Sequence, residues 1–289
     1  MEYPPVAVLG GTGFLGRAVI TELRRRDIPC ATVSRRPLPE ATHRRADIQD
    51  AAALRKALRG AEVVINLVAA SPLLPSGVQG RYYRYHLRGI RTLLSVRREI
   101  GVSSLVHVGA LGVTKDSPAP YARTKALAEE LADDAAISSV VFSPSILFGA
   151  GSELIGVLRW AAAFPVVPVP RIAALFQPVY VGDMAGLIVD SAQAALGPSG
   201  METGHWEVAG PDTLTGFEFA DLYLQHRGAR RIYIPESAVS VVLKVARAFH
   251  LPGFPVALPT MLAMPNTLTG RFPAVRTRRR YEEWVAAAG

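Results

Sequence analysis

Tyr121 and Lys125 sit four residues apart in the stretch Ala119-Pro120-Tyr121-Ala122-Arg123-Thr124-Lys125. On a helix that spacing puts both side chains on one face. An ordinary phenol titrates near pH ~10, too high for a base at neutral pH. An ammonium beside it favours the phenolate, so such a pair can pass a proton to or from a substrate oxygen. The same spacing also occurs in helix-surface pairs that do no chemistry. The elements around the pair decide between the two.

A second constellation lies at the N-terminal end. Val6–Leu9 reads as a short buried strand, Phe14–Asp27 has helical periodicity, and between them runs Gly10-Gly11-Thr12-Gly13-Phe14-Leu15-Gly16. Gly10 permits a tight turn, Gly13 lets backbone approach a pyrophosphate, and Gly16 lets the helix pack closely on the strand. A phosphate would sit on the first N–H groups of the helix, beside Thr12, Phe14 and Leu15. Strand, glycine turn and helix in that order are the context that makes this motif a dinucleotide site. No Gly-Lys-Ser/Thr follows, which excludes a nucleoside-triphosphatase loop.

The end of the second strand selects the nucleotide. A carboxylate there would hold the 2′-hydroxyl of NAD, and an arginine would favour the 2′-phosphate of NADP. The chain has Ser34-Arg35-Arg36, with Arg35 nineteen residues past Gly16 (35 − 16) and no acid. A guanidinium binds phosphate in bidentate fashion and stacks on adenine. The expectation is NADP(H), with NAD(H) as the alternative. The competing reading is two exposed loop charges. Further on, Asp47 and Ile48 precede a helix, where Asp47 either accepts from the adenine amino group or caps the helix. Asn66, Leu67 and Val68 end the third strand and, with Ala69 after them, are expected along the cofactor, as is Pro144 at the end of the fifth.

These residues need a scaffold. Apolar runs at Ala31–Ser34, Glu62–Val68, Leu105–Val108 and Ser139–Ser143 alternate with helical patterns at Ala51–Leu58, Tyr82–Ile100 and Tyr121–Asp133. Such alternation implies βαβ units, and continuous apolar strands imply a parallel sheet covered on both faces. The fold class expected is α/β, a doubly wound parallel sheet of the Rossmann kind. Residues 1–150 form the dinucleotide-binding core. Residues 151–289, richer in proline, form a smaller substrate-side region interleaved with it, with further strands at Phe176–Val181 and Trp206–Ala209 and an N-cap at Asp183. Ser237 to Met264 is apolar and proline-broken. It reads as packing, as a lid over an apolar substrate, or as a peripheral membrane contact.

Composition narrows the classes. The chain has 289 residues, 49% of them hydrophobic and 19% charged, which suits a globular protein. Its 32 Lys and Arg against 24 Asp and Glu give a net charge of +8. The basic residues are scattered and lack aromatic interleaving, so no nucleic-acid partner is expected. The six histidines have no metal spacing, so no metal is expected. The lone Cys30 cannot form an intrachain disulfide. With no signal-peptide pattern and no apolar run of spanning length, the expected location is cytoplasmic. The partner expected is a small-molecule substrate, and no oligomeric state is implied.

The segments VLGGTGFLG, ADIQD, VVINLVAA, LVHVGALG, PYARTKALAEE and FQPVYVGDMA, in this order, resemble the atypical and extended short-chain dehydrogenase/reductase superfamily. The branch they look most like contains the nucleotide-binding accessory subunit of respiratory complex I and its bacterial relatives. The resemblance implies that Tyr121 and Lys125 are catalytic, with Lys125 also bonding the cofactor ribose. It implies an NADP(H)-binding oxidoreductase, or an epimerase/dehydratase-like enzyme, acting on a small apolar carbonyl or alcohol. The alternative is a non-catalytic NADPH-binding accessory or sensor protein. Two departures stand out. The family's Ser or Thr after the fourth strand is missing from Gly109-Ala110-Leu111-Gly112, with Thr114 and Ser71 as candidate replacements. The family's Arg-Pro at the end of the fifth strand is Ser143-Pro144 here.

Overall fold

The structure is a computed structural model that describes residues 4–36, 42–71, 78–238 and 265–287. Most of the apolar stretch from Ser237 to Met264 lies outside the described residues.

In chain order the first half runs β1 (Val6–Leu9), α1 (Phe14–Arg25), β2 (Cys30–Ser34), β3 (His43–Arg45), α2 (Ala51–Ala57), β4 (Val63–Asn66), α3 (Val78–Tyr82), α4 (Gly89–Ile100), β5 (Ser104–Val108), α5 (Pro120–Asp133) and β6 (Ser138–Pro144). The second half runs β7 (Leu147–Phe148), α6 (Glu153–Ala161), β8 (Val167–Pro170), β9 (Leu175–Phe176), β10 (Val179–Tyr180), α7 (Val181–Leu196), β11 (Gly204–Ala209), β12 (Leu214–Thr215), α8 (Gly216–His226), β13 (Arg231–Ile234), β14 (Ala274–Arg276) and α9 (Tyr281–Ala287).

Eight strands make one sheet in the order β14-β11-β6-β5-β4-β1-β2-β3. Every pairing in it is parallel. The apolar runs explain this. Successive residues of a strand face opposite sides, so a run without polar alternation needs cover on both. Val6 and Val8 of β1 pack with Val19 and Leu23 of α1 and Ile188 of α7. Ala7 and Leu9 point the other way, onto Leu54 of α2 and Ile90 and Leu93 of α4. The sheet is doubly wound. The chain steps outward from β1 to β3, then returns to β4 on the opposite side of β1. That reversal opens a crevice at the carboxyl ends of β1 and β4, where ligands of such sheets bind.

The helical run expected at Tyr82–Ile100 has a π-helical stretch, Tyr83–Arg88, between α3 and α4. The wider turn lets Tyr82 and His86 face Tyr121 of α5. Asp50, not Asp47, caps α2 by accepting from the Ala53 N–H at 3.0 Å. Asp47 turns back to the Gln49 N–H at 3.0 Å. Asp183 is not an N-cap, because α7 is capped at Tyr180 and Asp183 already lies in its first turn. Its carboxylate accepts the Arg278 and Arg279 N–H groups at 3.1 Å and fastens the segment after β14.

A smaller core joins α6, α8 and α9. Tyr281 is fully buried, stacks on Phe219 at 4.0 Å between ring centroids, and donates its hydroxyl to the Phe219 carbonyl at 3.1 Å. Tyr281→Ala would leave a large cavity and is expected to cost about 3–5 kcal/mol, the range for burying and then deleting an aromatic ring. Urea unfolding of the two proteins checks it, with a shifted midpoint at unchanged slope.

Candidate functional site

The glycine turn begins with Gly10 in the left-handed region (φ 79°), donating its N–H to the Val33 carbonyl at 3.0 Å. A side chain there would press on the Leu67 and Val68 backbone at 3.2 Å, so the turn lies directly against the end of β4. Gly13 is the N-cap of α1, with no side-chain cap and no acid in the first turn. The first N–H groups of α1 are therefore offered to an anion. Arg17, exposed on the next turn, donates to the Thr12 carbonyl at 2.9 Å and puts a cation beside the glycines. Sequence reasoning passed over Arg17. The signal was a basic residue directly after Gly16.

At the end of β2, Ser34 donates to the Arg36 carbonyl at 2.8 Å and meets His43 Nε2 at 2.9 Å. Arg35 is exposed and lies 4.8 Å over the Tyr85 ring while donating to the Tyr85 hydroxyl. Tyr85, from the π-helical stretch, was also missed, because its reach to Arg35 depends on that irregular turn. Ile48 is buried, and a Cβ on Gly89 would meet its side chain at 2.9 Å.

Phe14, Leu15, Leu67, Ala69, Tyr121, Lys125 and Pro144 all line one cavity of about 340 Å³. Gly10, Thr12, Gly13, Gly16, Ser34, Arg35, Arg36, Asp47 and Val68 do not line it. They lie along the turn after β1, in the first turn of α1 (Gly16), and at or beyond the carboxyl ends of β2, β3 and β4. The walls of the cavity are mostly apolar, with Val108, Leu111, Ile146, Leu154 and Phe176. Among its described lining residues Lys125 is the one cation. Ser71 lines it and donates to Glu153, whereas Thr114 lines a separate cavity. Of the two replacement hydroxyls considered, the structure brings Ser71 to this cavity and not Thr114.

Lys125 is buried and donates to the Val108 carbonyl at 2.9 Å. Burial pulls its ammonium down to about 8, against the pull of Glu129 in the other direction. Burial first, then the Tyr82 and Glu129 charges, push the Tyr121 phenol above its ordinary value. That is opposite to the lowering expected of a phenolate base. The Tyr121 ring packs edge-on against Tyr82 and His86, each at 5.5 Å. His86 is buried and held down to about 2 by desolvation, then by the Lys125 charge. It is therefore neutral. Its Nε2 accepts from the Ala70 N–H at 3.1 Å, so Nδ1–H donates to Thr124 at 2.9 Å.

His107 is likewise neutral, held down to about 3 by burial and then by Lys125. Asn66 accepts the Val68 N–H at 3.2 Å and donates to His107 Nδ1 at 3.1 Å. This bond ties the last residue of β4 to β5 under the cofactor-side loop. Among the described residues no helix is long and apolar enough to cross a membrane, and no group of His, Cys, Asp and Glu could hold a metal.

An eight-stranded parallel sheet, a glycine turn at its switch point and a Tyr-x-x-x-Lys pair in the same crevice define a nucleotide-binding Rossmann protein of the short-chain type. The profile of the NAD dependent epimerase/dehydratase family matches residues 6–195, and the chain belongs to that family. It is 25% identical over 276 residues to the NADH dehydrogenase [ubiquinone] 1 alpha subcomplex subunit 9 of Arabidopsis thaliana, covering 88% of this chain and 65% of that one. It is 28% identical over 177 residues to the 2-alkyl-3-oxoalkanoate reductase of Stenotrophomonas maltophilia, covering 51% of this chain and 52% of that one. The chain thus spans between about half and two thirds of these relatives' own lengths. In fold it is similar to the UDP-glucose 4-epimerase of Thermus thermophilus solved with NAD, with a TM-score of 0.64 at 19% identity over 80% of this chain and 86% of that one.

Proposed function

We propose that this chain is an NADP(H)-dependent reductase of an apolar carbonyl compound, with Tyr121 as proton donor. The observation that carries this reading is the placement of Tyr121 and Lys125 together on the wall of an apolar cavity that reaches the glycine-turn helix. A pyridine nucleotide fits the residues present. Gly13 leaves the α1 N-terminus bare, Gly10 lies on the end of β4, and Lys125 is within the same cavity. When bound, the cofactor supplies the hydride. Gly13, Leu15 and the α1 N–H groups would hold its pyrophosphate, Arg35 and Arg36 its 2′-phosphate, and Lys125 its ribose. Leu67, Ala69 and Pro144 would wall the ring and exclude water.

Reduction is the direction in which a protonated Tyr121 serves as the acid. A tyrosine that keeps its proton is a poor base and a competent acid. Tyr121 would give its proton to the carbonyl oxygen as hydride reaches the carbon, which yields an alcohol. Substrate class follows from the walls. A nucleotide sugar carries a second pyrophosphate and needs cations to meet it. Among the described lining residues of the cavity Lys125 is the one cation, and it is tied to Val108. A cavity of about 340 Å³ lined by leucine, isoleucine and phenylalanine suits an alkyl ketone instead. The likeness to a 2-alkyl-3-oxoalkanoate reductase supports the same class.

NADPH consumption with 3-oxoalkanoates of increasing chain length, beside UDP-sugars, tests the reading. Turnover should rise with chain length and be absent with UDP-sugars. Turnover of a UDP-sugar alone, or of none, overturns it. Calorimetry tests the nucleotide preference separately. NADPH should bind about 10-fold or more tightly than NADH, and Arg35→Asp should reverse the order, since one lost charge-assisted contact is worth about 1.5–3 kcal/mol.

A further inference from the structure

One turn beyond Lys125 on α5, Glu129 is buried and begins a line of polar side chains through the core. Its Oε1 accepts the Ala110 N–H at 2.7 Å and the Ser143 hydroxyl at 2.8 Å. Ser143 Oγ also meets His205 Nε2 at 2.7 Å, and His205 Nδ1 meets Asp133 Oδ2 at 2.9 Å. The His205 ring stacks flat on Phe272 at 3.6 Å with 9° between planes. Four residues from α5, β6 and β11 therefore form one continuous chain, Asp133 to His205 to Ser143 to Glu129. Gly109 makes room for it, because a Cβ there would overlap the Glu129 carboxylate. The bare loop after β5 is bare where Glu129 sits.

With Asp133 ionised, counting protons along the chain gives two arrangements. With Ser143 donating to an ionised Glu129, its oxygen accepts from His205 Nε2–H. An ionised Asp133 then takes Nδ1–H, so the ring is an imidazolium. In the other arrangement each proton moves one bond along: His205 is neutral, Ser143 donates to it, and Glu129 is a neutral acid donating to Ser143. The two share every heavy-atom contact and differ in whether a carboxylate charge stands beside Lys125. A second cavity of about 210 Å³, lined by Glu129, Ser143, Thr114, Glu207, Arg271 and Phe272, reaches this chain from outside the first.

We propose that His205, with Asp133 behind it, is a positioning residue for Lys125: through Ser143 it holds Glu129 as a carboxylate, which keeps the Lys125 ammonium charged and pins the Ala110 backbone at the cavity wall. This rests on the reading of Tyr121 and Lys125 as the working pair. Burial lifts the Glu129 carboxyl above its ordinary value; the Ala110 N–H, the His205 charge, the Ser143 hydroxyl and the Lys125 charge each pull it back down, and Glu129 in turn supports the Lys125 proton. The other groups facing the couple are His107 from β5, His86 from the π-helical stretch, Tyr121 on α5, and Glu207 and Arg271 across the second cavity.

The test reads Lys125 directly. The chain has four lysines, Lys56, Lys115, Lys125 and Lys244, so each Cε signal of protein grown on labelled lysine can be assigned by single replacement. In the purified full chain Lys125 should titrate near pH 8. His205→Leu and Glu129→Gln should each lower that midpoint by about one pH unit or more, the size of one lost neighbouring charge. The double variant should fall no further than Glu129→Gln alone, because His205 acts through Glu129. A buried pillar without this role would change thermal stability and leave the midpoint where it was. If His205→Leu does not fold, Ser143→Ala and Asp133→Asn, the latter partly exposed, should shift Lys125 in the same direction. An unmoved Lys125 in the folded variants, or additive shifts in the double variant, overturns the proposal. The titration needs no substrate. An unmoved Lys125 with normal ketone reduction sinks the His205 role alone, and a shifted Lys125 without any turnover supports that role and sinks the reductase reading.

Discussion

Tyr121→Phe is expected to lower reductive turnover by about 10²–10⁴-fold, the range for removing a positioned proton donor. NADPH affinity should stay within about 2-fold, since the glycine turn, Arg35 and Lys125 are all retained. The aromatic ring is retained, so its edge-on packing against Tyr82 and His86 and the fold of α5 should survive. The pair of measurements separates chemistry from binding. Steady-state turnover on a saturating ketone reads the first, and nucleotide titration reads the second. A variant that binds NADPH normally and turns over at the wild-type rate removes Tyr121 from the reaction and favours an accessory protein that holds a nucleotide without using it. The pH dependence has a definite sign. Lys125 carries its proton below about 8 and loses it above, so turnover should decline as pH rises through that value. The Tyr121 phenol, pushed up by burial, stays protonated across the same window and does not set the alkaline limit.

Sequence reading reached the nucleotide side and stopped short of what lies behind Lys125, for a physical reason. Parallel strands buried on both faces must be written as unbroken apolar runs, so β1, β4 and β5 stand out in the chain. The glycine turn is equally local: strand, turn and helix span about fifteen residues in one register. The Tyr121–Lys125 pair is local too, at one helical turn. Glu129 had no such signal. Its role depends on Gly109 for space, on Ser143 for a donor and on His205, which is 62 residues beyond Ser143 in the chain. Asp133 and His205 meet across 72 residues. Ser143 reads from sequence as the loss of an arginine, and only the pairing of β6 with β11 turns it into a link between a carboxylate and an imidazole. The two-residue strands β7 and β12 left no periodicity to detect, because two residues cannot show alternation, and the single strand expected at Phe176–Val181 is two short ones, β9 and β10. The raised phenol of Tyr121 has the same origin. Spacing shows which charges lie near a phenol, but desolvation depends on everything packed around it.

Gly16→Ala tests the other half of the site, and its effect should be large for a single methyl group. A Cβ at this position would overlap the Gly10 carbonyl oxygen and approach Gly11 Cα at 2.6 Å. Neither neighbour is a flexible side-chain end. Both are backbone, in the turn that must present its N–H groups to a pyrophosphate, so α1 has to move away from β1. Forcing a methyl group into a close-packed position costs about 1–3 kcal/mol. Taken from cofactor binding, that is about a 10–100-fold loss of NADPH affinity. Melting temperature should fall as well, because α1 packs Val19 and Leu23 into the core under β1. Gly186→Ala in α7 is the control, since a Cβ there meets nothing within 4 Å. In a helix interior it should leave NADPH affinity unchanged and add about 0.5–1 kcal/mol of stability. Equal NADPH affinity in wild type and Gly16→Ala, measured by calorimetry, would mean that the turn after β1 does not bind the pyrophosphate, and the cofactor would have to be placed elsewhere on the sheet.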